Sequence, residues 1–435
     1  MQDIKIVIGG NFGDEGKGLM TDYFTKEART NGRSVLVVCS NGGAQRGHTV
    51  TTSSGIRHVF HHFGSGTFEG ADTWLPRFFI VNPMLFMNEY EELQEKGVSF
   101  DKIKIYMDPE CPVTTPFDMI ANQVIEEHRG RSRHGSCGMG IWETILRDGK
   151  LLGEMSLMTD AELKDYLAGS CKNRMASRFE QLGISEIPEN WRDIIEDEGL
   201  VRNYIADFRQ MCRLSGLRGV SVMKEYYTII FEAGQGLLLD RCRKEFGCHT
   251  TPSNTGFRNP AELIREYYHY LFSRGMTSAD EPSRNIVTGS NREWNMADGD
   301  DVRNTASVCE TGRNISNITE EDKLQVEVCY VTRTYLTRHG AGPFPEECSK
   351  DEINPTMVDM TNVPNPHQGT LRYGKLDAKD FSRRIVNDFD SERLPERFET
   401  KRTVAVTHVN EYSGPVIKEA DYISDGEKNM TVHVQ

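Results

Sequence analysis

The sequence predicts an α/β protein: a large, mostly parallel central sheet covered by helices, with a P-loop-like first strand–loop–helix and long insertions. Two observations predict it. Short runs rich in β-branched residues alternate with stretches of helical apolar spacing, and the first run passes directly into a glycine-rich loop that opens a helix. In chain order, "IKIVIGG" (4–10) reads as a strand, "GKGLMTDYFTKEART" (16–30) as a helix and "RSVLVVCS" (33–40) as the next strand. "RFFIVNP" (77–83), "KIKIYMD" (102–108), "YTIIFEAGQG" (227–236), "EVCYVTRTYL" (327–336) and "TVAVTHVNEY" (403–412) have the same strand character. Helical patterns such as "PMLFMNEYEELQEKG" (83–97) lie between several of them. Alternation of this kind builds parallel sheets whose ligands bind at the carboxyl ends of the strands.

The chain reads as a single domain over residues 1–435 with no linker, repeat or low-complexity tract. Residues 258–323 are polar and weakly periodic, and are expected to form an insertion or long surface excursion. The net charge is -14, from 65 acidic against 51 basic residues, which opposes sequence-independent binding to nucleic acid. No apolar run approaches membrane-spanning length and the N-terminus lacks a targeting pattern, so a soluble cytoplasmic protein with no membrane partner is expected. Ten cysteines occur without a CxxC pair, and Cys242, Cys248 and His249 match no common zinc spacing. Reduced thiols are expected.

The loop "GGNFGDEGKGLM" (9–20) carries glycines and Lys17 suited to phosphate, yet places Asp14 and Glu15 among them. Five residues separate Gly10 from Gly16, one more than a Walker A loop has, and Gly18 stands where that motif has its Ser or Thr magnesium ligand. A carboxylate there can replace the missing ligand or take a proton from a substrate, while Lys17 and the helix-start amides hold phosphate. A glycine-rich turn with a solvated acidic tip is the plain alternative. A second loop, "NGGAQRGHTV" (41–50), follows the next strand.

"GDEGKG" followed by this "GGxxxGHT" pattern resembles the adenylosuccinate synthetase family, and further matches follow in the family's order. They are "GSCGMG" (135–140), "FEAGQGLLLD" (231–240), "TTPSNT" (250–255), "TRHGAGPFPEE" (337–347), "LRYGKLD" (371–377) and "VAVTHVNEY" (404–412). The resemblance spans nearly the whole chain outside 258–323. It implies a homodimeric, Mg2+-dependent ligase in which a nucleoside triphosphate phosphorylates O6 of a purine nucleotide and aspartate then displaces the phosphate. It implies that Asp14 removes the N1 proton and binds magnesium, that Gly47 supplies a carbonyl ligand, that His48 stabilises the developing charge, and that Lys17 holds phosphate. A loop carboxylate is therefore expected because the acceptor oxygen must be activated as well as the donor held.

For the acceptor nucleotide the resemblance implies contacts from Gln45, Ser136, Cys137, Arg147, Gln235 and Thr251, with Arg147 reaching across a dimer. For aspartate it implies Thr370 and Arg372, with Lys375 a possible compensation for arginines that the family has and "GTLRYGKLD" lacks. For the donor it implies Gly13, Glu15, Gly16, Lys17, Gly18, Gly47, Thr49, His408, Asn410 and Gly426. Here the chain departs from the family's Thr-Lys-x-Asp, whose Asp reads guanine, and has "THVN" (407–410). An amide both accepts and donates, so Asn410 complements adenine and predicts ATP or dATP rather than GTP. Cys137 replaces a Thr, Gln45 an Asn, and Arg46 a small residue, which predicts a pocket remodelled at its edge. The retained Asp14 favours IMP or dIMP as acceptor. The donor change favours a relative of the phage enzymes that convert dGMP to 2-aminoadenylosuccinate, and a non-catalytic nucleotide-binding paralogue or a plain P-loop kinase or GTPase are the readings from other classes.

Overall fold

In the computed structural model the described residues are 2–272, 323–357, 369–412, 414–415, 417 and 420–435. The first run, β1 (Asp3–Gly9), lies between two parallel neighbours, so its side chains are buried on both faces. Ile4, Ile6 and Ile8 enter one core and Val7 another, which is why the run is continuously apolar rather than alternating. Helix α1 (Lys17–Thr30) follows, then β2 (Val35–Cys39), fully buried. Two short pairs come next: β3 (Gly42–Gly43) with β7 (Phe79–Ile80), and the hairpin β4 (His48–Thr51) with β5 (Arg57–Phe60). The central sheet resumes with β6 (Asp72–Leu75), β8 (Ile105–Met107), β9 (Gly216–Leu217) and β10 (Thr228–Gly236). It continues through β11 (Leu324–Arg333), β15 (Phe398–Thr407), β16 (Tyr422–Ser424) and β17 (Val432–Val434). A separate three-stranded sheet is built from β12 (Tyr335–Arg338), β13 (Glu347–Cys348) and β14 (Arg372–Lys375).

The central sheet has ten strands in the order β17-β16-β15-β11-β1-β10-β2-β6-β8-β9, all parallel except the β16–β17 edge. This is the predicted architecture. One strand was misplaced: "RFFIVNP" supplies only two-residue β7 outside the central sheet, and the unremarked "DTWL" supplies β6 within it. Helix α2 (Pro83–Glu95) begins with Asn82 accepting from the Leu85 amide and Pro83 in the first turn. Helix α3 (Pro116–Arg129) begins with a Thr115–Asp118 capping box.

Residues 258–272, expected as part of a surface excursion, instead form the helix Arg258–Phe272. Its Ala261, Leu263, Ile264 and Tyr267 are fully buried in the core that contains Ile4, Ile6 and Phe231. Their i, i+2, i+3, i+6 spacing is a helical apolar face that the flanking polar residues hide. Residues 273–322 of the expected insertion lie outside the described residues.

Candidate active site

Five adjacent strands, β15, β11, β1, β10 and β2, end along one edge of the sheet, and nearly every catalytic and donor-site candidate follows one of these ends. Neighbouring β1 and β10 connect onward in opposite directions, β1 to β2 and β10 to β11, the arrangement that opens a ligand crevice in parallel sheets.

The loop after β1 is folded around Glu15. Its Oε1 accepts from the amides of Asn11 and Gly13, both at 2.9 Å, and its Oε2 pairs with Lys17 Nζ at 3.0 Å. Both side chains of this pair are 2 % exposed. Glu15, expected at the donor nucleotide, is thus the internal brace that shapes the loop and aims Lys17. Gly13 (φ 137°), Asp14 (φ 57°) and Gly16 (φ 94°) all have left-handed backbone. A Cβ on Gly18 would lie 2.9 Å from the Thr49 carbonyl oxygen and 3.1 Å from His48 Cβ, so only glycine lets the start of α1 meet the second loop.

Asp14 is the non-glycine residue held in that strained region at the loop tip. Its backbone carbonyl accepts from Arg333 Nε, and its Oδ2 lies 3.2 Å from His339 Nε2. Burial works to raise the Asp14 carboxyl. The hydrogen bond from His339, with the charges of His339, Arg333 and Lys17, outweighs it and holds the group well below the usual carboxylate range. Asp14 is therefore an ionised acceptor, with its side chain 24 % exposed.

His48 begins β4 and is buried. Its Nδ1 lies 2.8 Å from Glu232 Oε1 and its Nε2 lies 3.2 Å from the Gly234 carbonyl oxygen. A neutral ring can donate to one of these acceptors, an imidazolium to both. Burial lowers the imidazole below its ordinary value, against the raising effect of Glu232. Glu232 itself is fully buried; burial acts to raise it, but its pairing with His48, the charge of Arg46 and the hydrogen bond from Ser65 prevail and hold it below the usual carboxylate range. Arg46 was expected at the edge of the substrate pocket. Instead it is 1 % exposed and pairs with Glu232 Oε2 at 3.1 Å.

On the acceptor side, several buried polar atoms have no partner within the described protein: Gln45 Oε1 and Nε2, Gln235 Nε2 and Thr251 Oγ1. Asn41 holds the other end of Gln235, Nδ2 to Oε1 at 3.0 Å. A Cβ on Gly42 would approach Gln235 Nε2 at 3.1 Å, and one on Gly43 would approach Gln45 Oε1 at 3.0 Å, so these side chains flank consecutive glycines. Ser136 Oγ accepts from Asn122 at 2.8 Å, and burial pushes the half-buried Cys137 thiol up to about 11. Arg147, expected to reach across a dimer, makes these contacts within one chain. Its Nε is 2.9 Å from Asp118, Nη1 is 2.7 Å from Tyr166 Oη and Nη2 is 2.7 Å from the Val113 carbonyl, so the guanidinium is used within its own chain.

Arg372, expected to clamp a substrate carboxylate, forms a forked pair with Glu347 at 2.8 and 2.6 Å, and its Nη1 donates to the Gly340 and Gly342 carbonyls. An incoming carboxylate must displace Glu347. Thr370 is exposed, and Lys375 lies 3.6 Å from Glu352. At the end of β15, Thr407 Oγ1 donates to the Glu15 carbonyl at 2.7 Å and lies 2.7 Å from His408 Nδ1. His408 has φ 58°; burial, aided by the charge of Arg333, lowers its ring well below the ordinary value, so it brings no positive charge where the family has lysine. Asn410 is exposed in the following turn, and the Gly426 carbonyl accepts from Ser424 Oγ at 3.0 Å.

Among the described residues no group of three or more His, Cys, Asp or Glu side chains is arranged to hold a metal. Magnesium fits nonetheless, because it keeps several waters and is commonly held by one carboxylate plus substrate phosphates. The ionised Asp14 and the carbonyl of exposed Gly47 are oxygen donors of that kind.

Sequence reasoning missed Glu232, His339, Arg333 and the burial of Arg46. Glu232 stands in the quoted "FEAGQG" and His339 in "TRHGAG", and a carboxylate in a strand otherwise apolar through Phe231 is the signal that was available for the first.

The adenylosuccinate synthetase family model matches residues 6–261. The adenylosuccinate synthetase of Alkaliphilus metalliredigens (strain QYMF) is 28% identical over 240 residues, 54% of this chain and 52% of that protein. That of Acinetobacter baylyi (strain ATCC 33305 / BD413 / ADP1) is 24% identical over 446 residues, covering 99% of this chain and 80% of that protein. In the first of these matches, as in several others, the chain spans about half the length of the curated relative. Among solved structures, the fully ligated adenylosuccinate synthetase from Plasmodium falciparum superposes with a TM-score of 0.61 at 14% identity, covering 100% of both chains. The cyanophage S-2L succinoaminodeoxyadenylate synthetase, bound to dGMP and dATP as an energy donor, superposes with a TM-score of 0.52 at 11% identity, covering 100% of this chain and 95% of that one. These two likenesses establish the fold. With a family match over more than half of its length, on a sheet whose strand ends carry the family's motifs, this chain belongs to the adenylosuccinate synthetase family.

Proposed function

We propose that the protein is a ligase that joins aspartate to C6 of a 6-oxopurine nucleotide, IMP or dIMP, with ATP or dATP as the phosphoryl donor. In the first step Asp14 takes the N1 proton, O6 attacks the γ-phosphorus and the nucleoside diphosphate leaves. In the second the aspartate amine attacks C6, the C6–O bond breaks as inorganic phosphate departs with that oxygen, and the new nitrogen loses one proton to solvent. Lys17, aimed by Glu15, holds the transferring phosphate, and His48, backed by Glu232, donates to the charge that develops on it. Magnesium, held by Asp14 and the Gly47 carbonyl, would neutralise phosphate charge. A cytoplasmic homodimer is the setting that the family resemblance suggests.

The observation that carries this reading is the set of unpartnered buried atoms on Gln45, Gln235 and Thr251. Buried polar groups in folded proteins are normally hydrogen-bonded, so these mark contacts to be completed by a ligand. They lie on the three segments matched to acceptor-nucleotide motifs. The test is phosphate release with magnesium and aspartate, crossing GTP, dGTP, ATP and dATP with IMP, dIMP and dGMP and weighing the products by mass. Succinyl-amino product from IMP or dIMP with an adenine donor is expected; preference for GTP would overturn the donor assignment.

The second reading is 2-aminoadenylosuccinate synthesis from dGMP. It is favoured by "THVN", since an adenine-reading donor site is what the cyanophage structure, with dATP as its energy donor, also implies. Turnover of dGMP in the same assay would decide for it.

A further inference from the structure

We infer that Arg46 is a positioning residue for phosphoryl transfer: buried behind the reacting loops, it locks the Glu232 carboxylate that aims His48. The inference rests on the role proposed for His48 above. Glu232 emerges from β10 with no solvent exposure, and its two oxygens are divided between partners. Oε1 faces His48 Nδ1 and accepts from Ser65 Oγ, while Oε2 accepts from Arg46 Nη1 at 3.1 Å and from the Ser65 amide at 3.3 Å. The carboxylate plane is thereby fixed, with Oε1 shared by the histidine and the serine hydroxyl and Oε2 by the arginine and the serine amide.

The guanidinium is fixed in turn. Nε donates to the His61 carbonyl and Nη2 to the Phe63 carbonyl at 2.5 Å. That backbone is itself pinned by Glu89 of α2, whose carboxylate accepts from the amides of His61 at 2.8 Å and His62 at 2.6 Å. A continuous path therefore runs from α2 through residues 61–63, Arg46 and Glu232 to the ring of His48. A surface arginine pair would contribute little. This one is desolvated, so without it the buried Glu232 carboxylate would lose its cation and keep only the histidine and a serine as partners, which hold its plane less firmly. Lysine has the charge but lacks the flat three-pronged geometry that reaches two carbonyls and a carboxylate together.

The experiment uses the full chain with Arg46→Met, Arg46→Lys, Glu232→Gln and the double variant Arg46→Met/Glu232→Gln. Two readouts are followed: kcat and KM for both nucleotides, and the His48 ring-nitrogen resonances in histidine-labelled protein, assigned with His48→Gln. Arg46→Met should lower kcat roughly 10- to 100-fold, the cost of a misplaced catalytic group, while KM changes less than about threefold. Arg46→Lys should fall between, and the double variant should be no worse than Glu232→Gln because both act through one carboxylate. The His48 Nδ1 resonance should move in every variant that disturbs the carboxylate. Wild-type kcat in Arg46→Met, strictly multiplicative losses in the double variant, or an unmoved His48 resonance would each overturn the inference. Should Arg46→Met fail to fold, Arg46→Lys and Ser65→Ala carry the same readouts. If the unsubstituted protein turns over no nucleotide pair, the proposed function has failed, and the His48 resonance alone then decides whether Arg46 holds the ring.

Discussion

Asp14 is an ionised carboxylate held at the tip of a strained loop, and the role proposed for it is to accept, whether a proton or a metal. Asp14→Asn keeps the shape and one acceptor oxygen but removes the base, so kcat should fall by about 10²- to 10⁴-fold while nucleotide affinity measured by calorimetry stays within a few-fold. A non-catalytic binder would show no loss. Asn410 carries the donor assignment. Asn410→Asp restores an acceptor-only group suited to the N1–H and 2-amino group of guanine, and should shift the ATP to GTP ratio of kcat/KM toward GTP by roughly 10- to 100-fold, the discrimination one good base-edge pair supplies. An unchanged ratio would place donor selection elsewhere. His408 beside it brings no charge to compensate, since burial keeps its ring neutral.

The first loop is an element whose interior is a charged pair rather than an apolar staple. Glu15 closes two loop amides and the ammonium of Lys17 in one buried cluster. Glu15→Ala leaves that ammonium buried and unpaired, which should reduce unfolding free energy by about 3–5 kcal/mol in denaturant titrations, part of it recovered on adding a nucleoside triphosphate whose phosphates replace the carboxylate. The loop, α1 and the flanking strands were legible because glycine spacing and apolar runs are local signals. "DTWL" was not legible as a strand. Four residues ending before a proline give too short a run, and the more apolar "RFFIVNP" beside it outweighed it. The helix Arg258–Phe272 escaped for a similar reason, since its buried face is shared with charged residues on the other side.

At the scale of the whole molecule, buried carboxyls tie stability to pH. Burial, with the neighbouring Glu69 carboxylate, pushes Asp22 up to about 7, and burial likewise pushes Asp108 and Asp388 up to about 6. The unfolded chain releases these protons near pH 4, so between about pH 4 and 7 these three groups hold more protons in the folded state and their contribution to stability falls as pH rises. Asp22→Asn, which keeps an acceptor for the Asn429 amide now 2.7 Å away, should flatten that fall by an amount on the order of 1–4 kcal/mol in denaturation measured across the range. A slope identical to that of the unsubstituted protein would show that Asp22 is charged in the folded state. The carboxylates at the site behave oppositely: Glu232 and Asp14 sit below their ordinary range, and their contribution is lost only in acid.

By itself, the sequence determined the fold class and the family, and it named the loop groups proposed to meet substrate, because glycine patterns, strand runs and motif order are properties of neighbouring residues. Only the tertiary structure decided which charges are paired within the protein and buried. Parallel pairing of β2 with β10 brings Arg46 and His48 to Glu232, 186 and 184 positions away, and the sequence holds no sign of that meeting. Arg147 and Arg372 look like substrate ligands in the chain, yet each is matched to a carboxylate of its own protein. The physical reason is that the strength of a charge in a protein depends on desolvation and on distances of a few ångströms to its partners, and both are set by packing.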